Sequence, residues 1–349
     1  MDSPFEQFAL EAFQTAAQRV PAYRTLLSEA CVDAADIVDS RTFRSLPVLD
    51  KACTFQRFGL EELCLDGEIG ELSSVLTSSG YSGIFAFGLN AAADQSIMCG
   101  WIDNLLDYLF HIKSRKTLLI NCLPMGVKIP TRACTLAETS VRPDMVVGLI
   151  KAFSRHYEQM ILVGEAAFIK QVLELGVRGG IEWSQILVQV ILGEEPLAEN
   201  ARIYLERLLG VDATRPEGGI VASSMGVAEV GLNIFSEVPP AAPLILLRRR
   251  LHENPDARRK LFGPSLTVPC LFTYDPRRIF VEFDDAGRLV LTTLEPHLRI
   301  PLIRYATGDR GAWLVLPQDM RAQIEAWGIS WELLSAIPIV VIHGRGDHA

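Results

Sequence analysis

Between residues 75 and 235, short apolar runs alternate with longer amphipathic stretches, and that alternation leaves the chain few architectures. The runs at 117–123, 160–164, 186–193 and 219–223 are largely continuous rather than alternating in hydrophobicity. Such runs suit strands buried on both faces of a mainly parallel sheet. Between two of them, Leu197, Ala201, Tyr204, Leu205, Leu208 and Leu209 share one helical face. That helix is expected to start at Pro196 and to stop before Gly210, with proline inside the start and glycine past the end.

The flanks read differently. Phe5, Phe8, Ala12, Ala16 and Val20 recur at helical spacing until Pro21 ends the run, and residues 44–51 form an extended connection. After residue 236 the prolines at 239, 240 and 264 punctuate the chain. Two short strands, 279–283 and 288–293, then flank an Asp/Gly-rich turn, a hairpin signal. The pattern predicts an α/β body over residues 1–235 and a smaller β-rich subdomain over 236–349. No internal repeat or low-complexity stretch is present.

Composition narrows the function classes. With 49% hydrophobic residues the chain can bury a large core. It carries 33 basic and 42 acidic residues, a formal charge of −9. That balance argues against sequence-independent nucleic-acid binding. Apolar stretches such as 241–247 are far shorter than the roughly 20 residues that cross a bilayer. The start, Met1-Asp2-Ser3-Pro4, lacks a secretory pattern. Seven cysteines without a Cys-x-x-Cys pair read as reduced thiols. A cytoplasmic protein is expected.

The chemistry is concentrated in five stretches. Ser78-Ser79-Gly80-Tyr81-Ser82-Gly83 is a hydroxyl- and glycine-rich loop whose backbone amides can surround phosphate oxygens. It is neither a Walker loop, lacking Gly-Lys-Ser/Thr, nor a Gly-x-Ser-x-Gly elbow, since Ile84 follows Gly83. Gly193-Glu194-Glu195-Pro196 joins a buried strand to a helix, and Met225-Gly226-Val227-Ala228-Glu229 follows another strand. Arg304-Tyr305-Ala306-Thr307-Gly308-Asp309 lies in the β-rich part, and His343-Gly344-Arg345-Gly346-Asp347 closes the sequence. Each stretch also has a plain structural reading: a Ser/Gly turn, an Asp turn, a solvated carboxylate.

In that order the five stretches resemble the motifs of the acyl/aryl-CoA ligase, peptide-synthetase adenylation domain and luciferase superfamily. Val20-Pro21-Ala22-Tyr23-Arg24 and Leu46-Pro47-Val48-Leu49-Asp50-Lys51 are similar to openings of its phenylacetate-CoA ligase branch. The thinned motifs also resemble an atypical member from phenazine (D-alanylgriseoluteic acid) antibiotic biosynthesis. The resemblance spans essentially the whole chain. It implies the large N-terminal domain of an acyl-adenylating enzyme, with mixed parallel-rich sheets flanked by helices and a small β-barrel-like module.

The resemblance also implies roles. Ser78, Ser79, Gly80, Ser82 and Gly83 would hold ATP phosphates. Gly193, Glu194, Glu195, Pro196, Met225 and Gly226 would border adenine. Asp309 would accept the ribose hydroxyls, with Arg345 nearby, since an ionised carboxylate offers two acceptor oxygens. Glu229 would act in catalysis and hold Mg²⁺, a hard cation suited to carboxylate and phosphate oxygens.

The departures matter too. The usual Pro-Lys pair after the phosphate loop is replaced by Ile84-Phe85-Ala86-Phe87. Ala228 stands where a hydroxyl residue is usual, and Met225 where an aromatic ring is. The resemblance places a lid domain of roughly a hundred residues after Gly-Arg-x-Asp, whereas only His348 and Ala349 follow Asp347. The implied small C-terminal lid is thus missing, and a partner protein could supply it.

Three readings stay open: ATP-dependent activation of a small, aromatic carboxylic acid as an acyl-adenylate; a degenerate binder of AMP, acyl-adenylate or aromatic acid; and a remnant of a full CoA ligase. Arg248-Arg249-Arg250 and Arg258-Arg259-Lys260 could meet coenzyme A phosphates or be a solvated loop. Phe85, Phe87, Trp101 and Tyr108 could line an aryl pocket or pack in the core. His343 could reach a ligand or be a structural histidine.

Overall fold

The continuous apolar runs lie side by side, as their burial on two faces requires. In the computed structural model, which describes residues 4–78, 80, 83–124, 127–139, 141–193, 196–215, 218–237, 243–295 and 298–345, thirteen strands form two sheets. The strands are β1 (Leu72–Thr77), β2 (Phe87–Ala91), β3 (Thr117–Asn121), β4 (Thr135–Glu138), β5 (Gln159–Gly164), β6 (Val188–Leu192) and β7 (Val221–Val227). They continue as β8 (Gly231–Ser236), β9 (Cys270–Tyr274), β10 (Ile279–Phe283), β11 (Arg288–Thr293), β12 (Tyr305–Trp313) and β13 (Val340–Arg345). β1 and β2 form an antiparallel hairpin. The rest make one sheet in the order β10-β11-β12-β13-β9-β8-β7-β6-β5-β3-β4.

This sheet changes character along its width. From β4 to β7 all pairings are parallel, and from β7 to β10 all are antiparallel. β7 serves both halves: residues 221–223 pair with β6, and Ser224, Met225 and Val227 pair with β8. In the parallel half every residue of β3 and β5 is buried. Leu118, Ile120, Met160 and Leu162 face one core with the helices Pro143–Phe153 and Ala166–Arg178. Leu119, Ile161 and Val163 face another with the helix Gln95–Phe110. The antiparallel half shares a core with the chain's beginning: Phe13, Phe43 and Leu49 pack with Phe280, Leu302 and Tyr305.

Several boundaries shift from the sequence reading. Pro21 does not end the helical region. It opens a second helix, Pro21–Glu29, after a break at Val20, because proline suits a first turn whose N–H has no partner. The helix expected from Pro196 begins at Glu199 instead, with Gly210 past its end at φ 72° as expected. Its buried face carries charge as well as leucine: Glu199, Arg202 and Glu206 are buried with Leu205 and Leu209, while Tyr204 is exposed. The run at 219–223 pairs as Val221–Val227, which brings Met225 and Gly226 into a strand, and Arg345 ends the strand Val340–Arg345.

The arginine run is neither a solvated loop nor an exposed anion site. Residues 248–250 lie in the helix Pro243–Glu253, and Arg248 is fully buried. Glu237 Oε1 accepts from Arg202 Nη2 at 2.6 Å and from Arg248 Nη1, and its Oε2 accepts from the Ser223 amide at 2.6 Å. Glu199 accepts from Arg202 at 3.0 Å and from Arg249 at 2.9 Å, and Arg249 also reaches Glu206 at 2.5 Å. Burial pushes Glu237 toward the neutral acid, but Arg202 and Arg248 outweigh it and hold the carboxyl below its usual range. Arg202 and Arg248 further donate to the carbonyls of Val221 and Leu197, both at 2.6 Å.

All seven cysteines are free thiols, four of them buried. No helix among the described residues is long and apolar enough to cross a membrane.

Removing one partner of a buried charge cluster strands the others. Arg248→Met should therefore lower unfolding free energy by about 3–5 kcal/mol in urea titration. Arg259→Met, which breaks only an exposed pair with Asp256, should leave the midpoint in place. A loss below about 1 kcal/mol for Arg248→Met would contradict this role for the cluster.

Candidate active site

β1 delivers the chain into the hydroxyl-rich loop, and β2 carries it away. Ser78 closes that loop: its amide donates to the Ala86 carbonyl and its Oγ accepts from the Ala86 amide, both at 2.9 Å. Its hydroxyl thus shapes the loop from a buried position. Gly80 and Gly83 adopt left-handed backbone, and the Gly83 amide donates to the Gly80 carbonyl at 2.8 Å. Ser79 and Ser82 lie outside the described residues, as do Glu194 and Glu195.

The hairpin is seated on the glutamate turn through Gly88. A Cβ at this position would collide with the Ala228 carbonyl oxygen and come within 3.5 Å of Glu229 Cα. Only glycine permits so close an approach of β2 to the residues that present Glu229.

Glu229 is buried and joined by two groups from distant parts of the chain. Tyr305 donates its hydroxyl to Glu229 Oε1 at 2.7 Å, and Lys51 Nζ stands 3.5 Å from the same oxygen. Burial, reinforced by the Glu229 charge, pushes the Tyr305 phenol far up, so it stays a donor. Lys51 owes its place to the segment before it. Leu49 bridges β12, donating to the Arg304 carbonyl at 2.9 Å and accepting from Ala306 at 2.7 Å. The Arg304 guanidinium donates to the carbonyls of Arg44 and Leu46 and pairs with Glu282 at 3.2 Å.

Asp309 is buried on β12 and pairs in register with Arg345 on β13. Thr307 Oγ1 donates to its Oδ2 at 2.9 Å, while Arg345 Nε is 4.0 Å from Oδ1. Burial raises the Asp309 carboxyl above its ordinary value. Thr307, Arg345 and Lys51 oppose the rise, and the Glu229 charge adds to it.

The predicted adenine segments sit beside this cluster. Gly193 follows β6, its amide donating to the Gly164 carbonyl at 3.1 Å. A Cβ on Gly344, next to Arg345, would lie 3.8 Å from Pro196 Cγ, so this loop abuts β13. Met225 and Gly226 occupy the β8-paired half of β7. Trp101 and Tyr108 line a cavity of about 440 Å3 between the helix Gln95–Phe110 and strands β8 and β9. Phe85 and Phe87 do not: Phe85 is exposed with its ring against Gly80, and Phe87 packs on the core of the N-terminal helices. His343 is exposed on β13.

Sequence reasoning missed Lys51, Tyr305 and Arg304 as site components. Their only signal was membership of quoted motifs, because no local spacing reports that residue 51 meets residue 229. Among the described residues no three His, Cys, Asp or Glu side chains gather as a metal cage. Glu229 makes its hydrogen bond and ion pair through Oε1, so Oε2 fits a cation that takes one carboxylate and draws its other ligands from phosphate and water, as Mg²⁺ does.

A parallel sheet passing through one shared strand into an antiparallel half, with helices on both faces, is the fold of the large domain of the acyl-adenylating enzymes. Among solved structures, an open conformation of 2-hydroxyisobutyryl-CoA ligase in complex with 2-HIB-AMP and CoA matches with a TM-score of 0.69 and 13% identity. The match covers 99% of this chain and 69% of that one. The same ligase in a postadenylation state with R3-HIB-AMP gives a TM-score of 0.68 at 13% identity, over 98% and 67% of the two chains. In its thioesterification state the TM-score is 0.63 at 14% identity, over 88% and 63%. No protein-family model and no curated protein matches the sequence.

A carboxyl raised by burial costs folding stability once ionised. The penalty is absent below the unfolded-state value and full above the folded one. Asp309→Asn should therefore raise the thermal midpoint at neutral pH, with the gain shrinking as pH falls toward 4. A lower midpoint at pH 7 would mean that Asp309 is better paired than Thr307 and Arg345 make it.

Proposed function

We propose that this protein uses ATP to activate a small carboxylic acid as an acyl-adenylate. The acid's carboxylate oxygen attacks the α-phosphorus, the bond from that phosphorus to the bridging oxygen breaks, and pyrophosphate leaves with the electron pair. The observation that carries the reading is the convergence of Lys51, Glu229 and Asp309, two buried carboxylates beside one partly buried ammonium. They meet on a fold shared with a ligase solved with an acyl-AMP.

Each group has a task that its surroundings suit. Asp309 accepts the two ribose hydroxyls, which supply the donors that Thr307 and the distant Arg345 leave wanting. Gly193, Pro196, Met225 and Gly226 border the adenine. The loop turned at Gly80 and Gly83 meets the phosphates, with Ser78 holding it closed. Glu229, fixed by Tyr305, would hold Mg²⁺, which would neutralise phosphate charge. Lys51 offers the positive charge at the α-phosphate that Ile84 cannot give the phosphate loop. Catalysis of this kind is positioning and electrostatics, with no covalent enzyme intermediate. A role in specialised-metabolite (antibiotic) biosynthesis belongs to the same reading through the motif resemblance alone.

The test combines pyrophosphate exchange over a panel of aryl acids with calorimetric titration of ATP and AMP. Exchange with at least one acid is expected. Nucleotide binding without exchange would favour a binding protein, a reading supported by Ala228 where a hydroxyl contact is usual. Absence of binding at millimolar nucleotide would overturn the site. Asp309→Ala should abolish nucleotide affinity. Lys51→Ala should slow exchange about 100-fold or more while nucleotide still binds.

A further inference from the structure

The cavity holding Trp101 and Tyr108 has more chemistry than packing requires. Val230, the residue after Glu229, forms part of its wall, so the cavity begins one residue from the proposed reaction centre. Its volume of about 440 Å3 falls in the range of roughly 300–1,000 Å3 common to small-molecule sites. On one side the Arg278 guanidinium stacks over the Trp101 ring, 3.9 Å from its centroid. Tyr274, packed edge-on against Phe235, lines it as well.

Polar groups converge there with few side-chain partners among the described residues. Arg278 donates through Nε to Glu295 at 2.5 Å, and its two terminal nitrogens donate to no described residue. The Asn233 amide and the Thr273 and Tyr274 hydroxyls, also in the wall, likewise make no side-chain hydrogen bond among the described residues. Burial pushes the Tyr274 phenol up, so it is a neutral donor at physiological pH. Aromatic faces with a few unsatisfied donors describe a site for a planar ligand bearing oxygen.

Charge decides which oxygen. Arg278 is neutralised by Glu295, and the neighbouring Arg277 by Asp275 at 2.7 Å. A second carboxylate on the ligand would meet Glu295 where it met Arg278, and would lose its hydration for little net attraction. A neutral acceptor takes the terminal Arg278 nitrogens, which no described residue accepts from, without that cost.

We propose that this cavity binds the acid to be activated, and that it selects aromatic monocarboxylates carrying a neutral oxygen substituent, hydroxyl or carbonyl, over unsubstituted aromatic acids and over dicarboxylates. The inference rests on the acyl-activation reading above. Arg278 is its specificity-determining residue.

Calorimetric titration without nucleotide tests it directly, using benzoate, 3- and 4-hydroxybenzoate, 4-acetylbenzoate and terephthalate. At least one hydroxy- or acetylbenzoate should bind about tenfold tighter than benzoate and terephthalate, the worth of one good hydrogen bond. Arg278→Lys keeps the charge but loses the planar fork, and Arg278→Met loses both. Each should erase the preference. Thr273→Val, nearly isosteric, should reduce it and guards against a folding defect at Arg278. Equal affinities across the panel, no binding of any acid, or a preference that survives in folded Arg278→Met would overturn the inference. Preferential binding without pyrophosphate exchange would overturn the adenylation reading and leave this one standing. Exchange with no preference would do the reverse.

Discussion

A carboxylate with no exposure to solvent, Glu237, accepts from two guanidinium groups and one backbone amide where β8 ends. Burying any one of these charges alone is prohibitive, so the six side chains of the cluster must arrive together or not at all. Their backbone contacts give that requirement its reach. Arg202 holds the Val221 carbonyl at the start of β7, Glu237 holds the Ser223 amide where β7 passes from parallel to antiparallel pairing, and Arg248 holds the Leu197 carbonyl of the loop after β6. Both segments that border the proposed adenine site are fixed by one neutral network lying behind them.

The same burial acts in opposite directions at Glu237 and Asp309. Glu237 is held in its charged form because its partners are close and numerous. Asp309 rises because burial outweighs the help of the Thr307 hydroxyl and of an arginine whose Nε stands 4.0 Å away. A carboxylate fully paired by the protein has nothing left for a ligand. One left short of donors gains by binding them, and perturbed groups of that kind gather at functional sites. The fold thus sets a fully paired carboxylate and an under-paired one a few strands apart, and the proposed site uses the second.

The sequence was most legible where periodicity or burial is local. β10 and β11 lie where alternation and an Asp/Gly turn put them, and β3, β5 and β6 within a few residues of their apolar runs. The fold of the body followed from that pattern together with the order of five motifs. The arginine run was illegible, because a charged helix face reads as solvated until the acids that cover it, Glu199, Glu206 and Glu237, are brought in from other elements. Pro21 and Pro196 misled for a related reason: a proline marks a first turn or a break, and only the neighbouring packing decides which. In the site, Glu229 and Asp309 stood out as motif carboxylates, while Lys51 did not. Its place depends on a bridge between Leu49 and Tyr305 that joins the two ends of the chain.

That bridge has a consequence for how the molecule is made. Residues 49–51 reach their position only by pairing with residues 304–306, so the ammonium of Lys51 cannot meet Glu229 until the ribosome has released most of the chain. During synthesis the parallel half can gather its helices around β3 to β7 from contacts close in sequence, while the opening segment waits with Phe43 and Leu49 uncovered. The lysine–carboxylate cluster is a late product of translation rather than an early one, and a nascent chain stalled before residue 306 would have the parallel half of its sheet without the proposed site.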